Sequence, residues 1–232
     1  DNQFDAPLSW NQDETDVLVM CDKVLVPWER IFVKDDAIQA REIYFKTPAH
    51  CYGNHQSNVR YWSKMELIVG LCYKVAKATG ADEVPAVRET LGKMSALEST
   101  LSGMIYGQIE NAENWPENFK TFNRRIMYAA LNFCTDNYSM IIDELRTLCG
   151  GGVFQMPASI KVMKNKELLN DFETYFQTPQ MNALDRMKLF KLAWDVVGSE
   201  FAVRQLQYEK FYAGASFLSL IHISEPTRHR GI

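Results

Sequence analysis

The sequence predicts a mostly α-helical protein, in which an antiparallel four-helix bundle follows the last strands of a β-domain. Apolar residues recur every three or four positions from about residue 47 onward, whereas short β-branched runs occur only before residue 35. With 232 residues, 47% of them hydrophobic, the chain can bury one large core or two modest ones. We assign residues 1–40 to the end of a truncated β-domain, 41–217 to the helical-bundle domain and 221–232 to a non-native tail.

β-branched residues dominate two runs near the start of the chain, residues 16–21 and 24–28, which the turn-like pair Asp22-Lys23 separates. With a third run at 31–33, this pattern is typical of a β-hairpin. Because an isolated hairpin is only marginally stable in water, we expect these strands to complete a sheet whose other strands lie upstream. The chain opens without an initiator Met, as if cut from a longer protein.

Helices are predicted over most of the remaining chain from the period of the apolar residues. The predicted ranges are 55–79, 84–110, 117–149 and the shorter 166–176. Gly80 ends the first helix, and Pro85 suits the first turn of the second. The run Gly150-Gly151-Gly152 ends the third helix, either as a cap with a flexible link or as a place where the backbone can touch a ligand.

A long helix predicted over residues 182–216 organises the bundle. Its apolar stripe, broken only by Arg204, consists of Met187, Phe190, Trp194, Val197, Phe201, Tyr208 and Phe211. With a flanking stripe, more than half of its circumference is apolar, as expected for a helix packed between others. Gly214 can adopt the left-handed conformation that ends a helix. Four long helices with short connections indicate an antiparallel bundle.

Charge and cysteine content exclude several classes of protein. A net charge of −4 with mixed signs leaves no basic surface for nucleic acid or for a membrane, and no apolar run approaches the roughly 20 residues that span a bilayer. Five scattered cysteines, an odd number without a C-x-x-C pair, predict reduced thiols in a cytoplasmic protein rather than a disulfide framework or a zinc site. We expect these cysteines to be buried and without a functional role.

Two histidines, His50 and His55, lie five residues apart at the start of a helix, which separates their side chains by about 140° around the axis. This spacing argues against a metal site and leaves open a role in acid–base or ligand contact, or a purely structural one. We consider no other histidine as a site residue, because residues 221–232 resemble the translated read-through of a sequencing adapter and are excluded from the predicted fold and site.

Arg60 and Lys64 lie one helical turn apart, and Gln56 lies one turn before Arg60. An arginine in this position can hold a phosphate. The other interpretation is a solvated face, or an ion pair of Arg60 with Glu66 or Asp82.

Six short motifs occur in order along the chain. They are FDAPLS at residues 4–9, DKVLVPWE at 22–29, R-x-x-x-K at 60–64, GGGVFQMPAS at 150–159, LFKLAWD at 189–195 and FYAG at 211–214. Together they resemble the flavin-dependent oxygenase component of the 4-hydroxyphenylacetate 3-monooxygenase family, which includes chlorophenol monooxygenases. The resemblance runs from residue 4 to about 217.

The resemblance implies an acyl-CoA-dehydrogenase-like fold whose C-terminal bundle builds a homotetramer. It also implies a two-component monooxygenase, in which a partner flavin reductase supplies reduced FAD and the oxygenase uses it with O2 to hydroxylate a phenolic substrate such as 4-hydroxyphenylacetate. In such enzymes the flavin carries the oxygen chemistry, while the protein orients the reactants and excludes water. The family's catalytic Arg, Tyr and His lie upstream, so we assign no catalytic residue and expect the chain alone to be inactive.

The resemblance also carries over site residues. Flavin contact is implied for three groups: Ala213, Gly214, Ala215 and Ser216 after the last helix; Gly150, Gly151 and Gly152 toward a neighbouring subunit's flavin; and Arg60 with Gln56 at the phosphates. Phe4 follows the family's mobile substrate loop and is expected to border the phenol pocket. We expect no metal ligand.

Two alternatives stay open. The same superfamily contains 4-hydroxybutyryl-CoA dehydratase, a lyase with FAD and an iron–sulfur cluster, but its H-x-x-x-Y-x-x-C-K pattern is not met, since Asn54 and Ser57 stand at the Tyr and Cys positions after His50. A cluster cannot be held without its thiolates. The second alternative is a non-catalytic helical scaffold, which an upstream sequence without the Arg, Tyr and His set would reveal.

Overall fold

The structure, a computed structural model, describes residues 2–13 and 17–212 together with Gly214, Leu220 and Ile223. It is mostly helical, as predicted. The helices are α1 (Pro7–Gln12), α2 (Ala37–Lys46), α3 (Ala49–Thr79), α4 (Pro85–Glu110), α5 (Arg124–Cys149), α6 (Lys166–Phe176), α7 (Ala183–Val197) and α8 (Glu200–Phe211). Two short antiparallel strands, β1 (Glu113–Asn114) and β2 (Lys120–Thr121), lie between α4 and α5.

Several predicted helix ends are confirmed. Gly80 follows α3 with a left-handed backbone (φ 73°), and its N–H bonds to the carbonyls of the last turn. Pro85 is the first residue of α4. Helix α6 has the predicted bounds, and the side chain of Asn165 accepts the N–H groups of its first turn.

Two predicted helix starts are wrong. Helix α3 begins at Ala49, six residues before the predicted position, and α5 begins at Arg124, seven residues after it. The delay has a local cause, because residues 113–121 form the β1–β2 pair, whose turn places Glu117 at φ 62° and Asn118 at φ 64°. Asn123 then caps α5 by accepting the N–H of Ile126 at 3.0 Å.

The single helix predicted over residues 182–216 is also wrong, because the chain breaks between α7 and α8. Ser199 caps α8 by accepting the N–H of Ala202 at 3.0 Å. The ring of Trp194 lies over Gly198 so closely that a Cβ there would come within 2.3 Å of it. After α8, Gly214 has the predicted left-handed backbone, with φ 88°.

The predicted N-terminal hairpin is not formed. Within the described part of the chain, residues 17–33 contain no strand, only a short 3-10 turn at Trp28–Arg30. Their apolar side chains are exposed, with Leu18 at 84% and Leu25 at 92%. The physical reason is that no described segment lies alongside them to accept their backbone hydrogen bonds. The division into domains stays a prediction.

The core lies where α3, α4 and α5 pack against one another, with α7 against α5 and α3, and α8 against α5. Its largest fully buried side chains include Tyr61, Met65, Leu101, Ile141 and Phe190. Cys51, Met127, Tyr128 and Leu131 form a second, smaller cluster, against which Ile223 packs.

The cysteine prediction is confirmed in part. All five thiols are free, and four are buried, but Cys21 is exposed because the predicted hairpin around it does not form. No helix in the described residues is both long and apolar enough to cross a membrane.

Candidate functional site

A buried carboxylate on α8 joins two cations of α3. Glu209, whose side chain is 2% exposed, accepts hydrogen bonds from Arg60 Nη2 at 2.8 Å and Arg60 Nε at 3.2 Å. Lys64, one turn further along α3, also bonds to Glu209 and donates to Gln205 at 2.5 Å. Two positive charges therefore share one negative charge at the contact between α3 and α8. The predicted pairing of Arg60 with Glu66 or Asp82 is wrong.

Aromatic rings complete the surroundings of Arg60. Its guanidinium carbon lies 4.7 Å from the ring centroid of Tyr208 and 4.3 Å from that of Tyr212, within cation–π range. Burial lowers the pKa of Arg60, but the hydrogen bonds and charge of Glu209 outweigh it and raise that pKa above its usual value. Arg60 is thus a permanent cation that attaches the C-terminal turn of α8 to α3. Gln56, one turn earlier, is exposed.

A cavity of about 380 Å³ opens beside this cluster. Arg60, Lys64 and Tyr208 line one side of it, and Leu8 and Gln12 of α1 line another. Burial raises the pKa of Tyr138, which also lines the cavity, so its hydroxyl stays protonated at neutral pH. The cavity therefore combines apolar walls with cations at one side, as small-molecule sites commonly do.

Phe4 precedes α1 and is half-buried, with Lys188 Nζ 6.0 Å from its ring. The residues that follow it line a second cavity of about 520 Å³, together with Phe154 and Trp194. Residues of the N-terminal segment line both cavities. Phe4 thus lies next to them without lining either, and its contact with a phenol stays a prediction.

The three glycines after α5 differ in their surroundings. A Cβ at Gly152 would lie 2.5 Å from the ring of Phe190, so packing against α7 explains this glycine. Gly151 has ordinary contacts with Phe154 and Gln155. Gly150 has a positive φ of 53°, is exposed and has no atom within 4 Å of where a Cβ would be. Of these three residues, only Gly150 has a backbone conformation that favours glycine and also leaves room for an approaching group.

The predicted segment after α8 is only partly described. Ala213, Ala215 and Ser216 lie outside the described residues. Gly214 N donates to Phe211 O at 3.0 Å, and the preceding Tyr212 stacks on Arg60. The structure thus brings Arg60 together with the start of this segment, whereas Gly150–Val153 contacts α7 instead.

The two histidines have structural partners. His50 Nδ1 lies 3.0 Å and 3.1 Å from the carbonyl oxygens of Tyr44 and Thr47, so this nitrogen carries the proton. His55 Nδ1 lies 2.8 Å from Gln108 Oε1, and its ring stacks on Phe122 with centroids 3.6 Å apart. The described residues contain no group of three potential metal ligands among His, Cys, Asp and Glu.

Sequence reasoning missed Asp195 and Glu209, the two buried acids of the last helices. Asp195 is 1% exposed and accepts hydrogen bonds from Leu8 and Ser9 of α1. Asp195 lies between Trp194 and Val196, and Glu209 lies next to Tyr208. Both acids are therefore within or beside the apolar stripes of the predicted helix. An acidic residue at such a position predicts a buried partner, since an unpaired buried charge is costly.

Comparison with known proteins identifies the family. The family model for the C-terminal part of 4-hydroxyphenylacetate 3-hydroxylase matches residues 40–229. The chain belongs to this family. The match includes the interval 221–229, which lies in the predicted tail and, apart from Ile223, outside the described residues.

Curated relatives agree with this assignment. The chain is 30% identical over 215 residues to the 4-hydroxyphenylacetate 3-monooxygenase oxygenase component of Thermus thermophilus, covering 92% of this chain and 44% of that protein. It is 29% identical over 213 residues to the pyoverdin chromophore biosynthetic protein PvcC of Pseudomonas aeruginosa, covering 91% of this chain and 42% of that one. The chain therefore spans less than half the length of these relatives.

Solved structures give the same result. The crystal structure of the oxygenase component HpaB complexed with FAD and 4-hydroxyphenylacetate matches 99% of this chain and 49% of its own, with a TM-score of 0.91 and 29% identity. An archaeal 4-hydroxybutyryl-CoA dehydratase matches 87% of the chain with a TM-score of 0.78, but at 18% identity this likeness concerns the fold alone.

Proposed function

We propose that the protein containing this chain is the oxygenase component of a two-component monooxygenase, which uses reduced FAD and O2 to hydroxylate a phenolic substrate such as 4-hydroxyphenylacetate. The observation that supports this most strongly is the match of 99% of the chain to an HpaB structure complexed with FAD and that phenol. Family membership and the named monooxygenases among the relatives support it as well.

The surroundings of two glycines support the proposed flavin contacts. Gly150 leaves open space where a side chain would be, and Gly214 has a left-handed backbone beside the Arg60 cluster. Backbone without side chains lets a planar ring or a phosphate approach closely. We propose Gly150, Gly151 and Gly152 as contacts of a neighbouring subunit's flavin, and Gly214 with Ala213, Ala215 and Ser216 as contacts of the chain's own flavin. When bound, the flavin supplies the oxygen chemistry, and this chain helps to hold it and to exclude water.

We also propose that Arg60 and Gln56 contact the flavin phosphates, with Arg60 using only the donors that its other hydrogen bonds leave. A guanidinium has five N–H donors. The described hydrogen bonds of Arg60 use Nε and Nη2 on Glu209 and Nη1 on Tyr208. Phosphate contact would use the remaining donors, and the excess positive charge shared with Lys64 favours an anion at this position.

Further parts of the proposal concern assembly. We propose that α3, α4, α5 and the α7–α8 pair form the family's antiparallel four-helix bundle, that four copies assemble, and that a separate reductase supplies the reduced flavin in the cytoplasm. Because only part of the flavin cleft lies in this chain, the chain alone should not retain FAD. Purification of the chain with stoichiometric bound flavin would contradict this.

The test uses the complete protein. It is mixed anaerobically with reduced FAD and 4-hydroxyphenylacetate, and then ¹⁸O-labelled O2 is admitted. We expect a dihydroxy product that carries one ¹⁸O atom, with the other oxygen atom released as water, and flavin oxidation slower than that of free reduced FAD. Free reduced FAD without the protein is the control. Oxidation at the free rate, without labelled product from any phenol tested, would overturn the proposal.

A further inference from the structure

Two charged side chains of α7, Lys191 and Asp195, hold the N-terminal segment, residues 5–9. We call this pair the α7 clamp. The Asp195 carboxylate accepts the N–H groups of Leu8 and Ser9, both at 2.7 Å, and the Ser9 hydroxyl at 3.0 Å. Lys191 Nζ lies 3.4 Å from the Asp5 carboxylate and donates to the carbonyl of Ala158 at 2.9 Å.

The α7 clamp is buried, which makes its charges costly. Asp195 is 1% exposed and Lys191 is 6% exposed. An apolar pair of similar volume would fill the same space without the desolvation penalty. Asp195 and Lys191 supply hydrogen bonds to this part of the chain that an apolar pair could not. Helix α1 has no side-chain cap within its own segment, and Asp195 accepts its first N–H groups instead.

The clamped segment lines two cavities. Leu8 lines the cavity of about 380 Å³ next to Arg60 and Lys64. Asp5 and Ser9 line the cavity of about 520 Å³, and Asp195 lines both. A shift of the segment therefore changes the shape of both cavities at once.

We propose that Asp195 is a positioning residue for the hydroxylation reaction, because it keeps the segment 5–9 in the arrangement that receives the substrate. This rests on the proposed function. Without Asp195, the segment 5–9 is displaced in part of the protein molecules. Substrate binds only to the molecules in which the segment is in place. Apparent affinity falls by that fraction, whereas turnover at saturation is retained.

The test measures steady-state hydroxylation by the complete protein carrying Asp195→Asn. We expect the KM for the phenol to rise about tenfold, with kcat within about twofold of the wild type. Ser9→Ala, which removes only the hydroxyl donor, should raise KM by about twofold to threefold. Asp195→Glu, which restores the carboxylate, should recover part of the loss. Asp143→Asn, at an exposed carboxylate of α5, is the matched control and should change neither constant.

Amide hydrogen exchange in the complete protein supplies a readout independent of activity. Asp195→Asn should accelerate exchange at Leu8 and Ser9 and leave the amides of α3 unchanged. Faster exchange with an unchanged KM would show a purely structural contact and overturn the proposal, as would a fall in kcat alone. If Asp195→Asn does not fold, Ser9→Ala decides by the same criteria. If the wild type hydroxylates no phenol, the proposed function fails, whereas unchanged exchange in Asp195→Asn overturns the clamp by itself.

Discussion

Two buried carboxylates of consecutive helices, Asp195 on α7 and Glu209 on α8, accept hydrogen bonds from different kinds of donor. Glu209 accepts from two cations of α3, whereas the described hydrogen bonds of the Asp195 carboxylate come from neutral groups, two backbone N–H and one hydroxyl. Glu209 ties one helix of the core to another. Asp195 ties the core to a segment that borders two cavities.

This difference in hydrogen-bond donors determines how costly each contact is to open. Removing one partner of a buried ion pair leaves an uncompensated charge, so the α3–α8 contact is costly to open. Backbone N–H groups exposed by opening can bond to water instead, so the α1–α7 contact opens at a lower cost. We therefore expect the cation-rich contact to maintain the fold and the neutral one to control access to the cavities.

The largest effect is expected from Glu209→Gln, which removes the charge between Arg60 and Lys64. We expect the chain to lose about 3 kcal/mol of unfolding free energy, because two cations are left partly buried without a carboxylate. Urea unfolding at neutral pH measures this. Glu200→Gln, at an 89% exposed side chain on the same helix, is the control and should cost less than about 0.5 kcal/mol. A loss below about 1 kcal/mol for Glu209→Gln would mean that the contact behaves like a surface pair.

A smaller effect is expected from Arg60→Lys, which keeps the charge but loses the two-pronged contact with Glu209 and the stacking on Tyr212. We expect a loss of about 1 kcal/mol by the same measurement. Arg88→Lys tests the same exchange at an exposed pair with Glu83 and should be nearly neutral. Equal losses at both positions would show that stacking and burial contribute nothing at Arg60.

The smallest effect concerns the pH dependence of the N-terminal contact. Burial raises the pKa of Asp5, but the hydrogen bonds from Asn2 and from the Ile160 N–H, with the charge of Lys191, outweigh it and hold this pKa below the usual value of an aspartate. A lowered folded-state pKa means that the contribution of Asp5 is fully present above about pH 4 and is lost as the pH falls through the folded value.

Asp5→Asn should therefore reduce stability at pH 6, and the difference from the wild type should shrink below about pH 4. Urea unfolding across this range measures it, with Asp143→Asn as the exposed control. A difference that stays constant with pH would show that the charge of Asp5 is not the cause.

Local patterns predicted the helices wherever a local residue sets their ends. Gly80, Pro85 and the start of α6 follow from capping chemistry alone. The break at Gly198 did not follow, because the apolar period continues through it and the decisive contact is the Trp194 ring over the glycine. The N-terminal strands were misjudged because β-branched runs form strands only beside a partner.

The candidate site was less predictable, because its contacts join distant parts of the chain. The R-x-x-x-K spacing identified Arg60 and Lys64 as a pair, but nothing nearby in sequence indicates Glu209, 149 residues from Arg60. The glycine run was recognised as a unit, although only Gly150 leaves open space and Gly152 serves packing.

The separation of 186 residues between Ser9 and Asp195 has a consequence for biosynthesis. A ribosome adding roughly 5–20 residues per second needs roughly 10–40 s to pass from one to the other. During that interval the N-terminal segment has emerged, and the carboxylate that secures it does not yet exist. The segment of a nascent chain therefore lacks its partner until α7 has been synthesised, and it is open to proteases and chaperones during that interval.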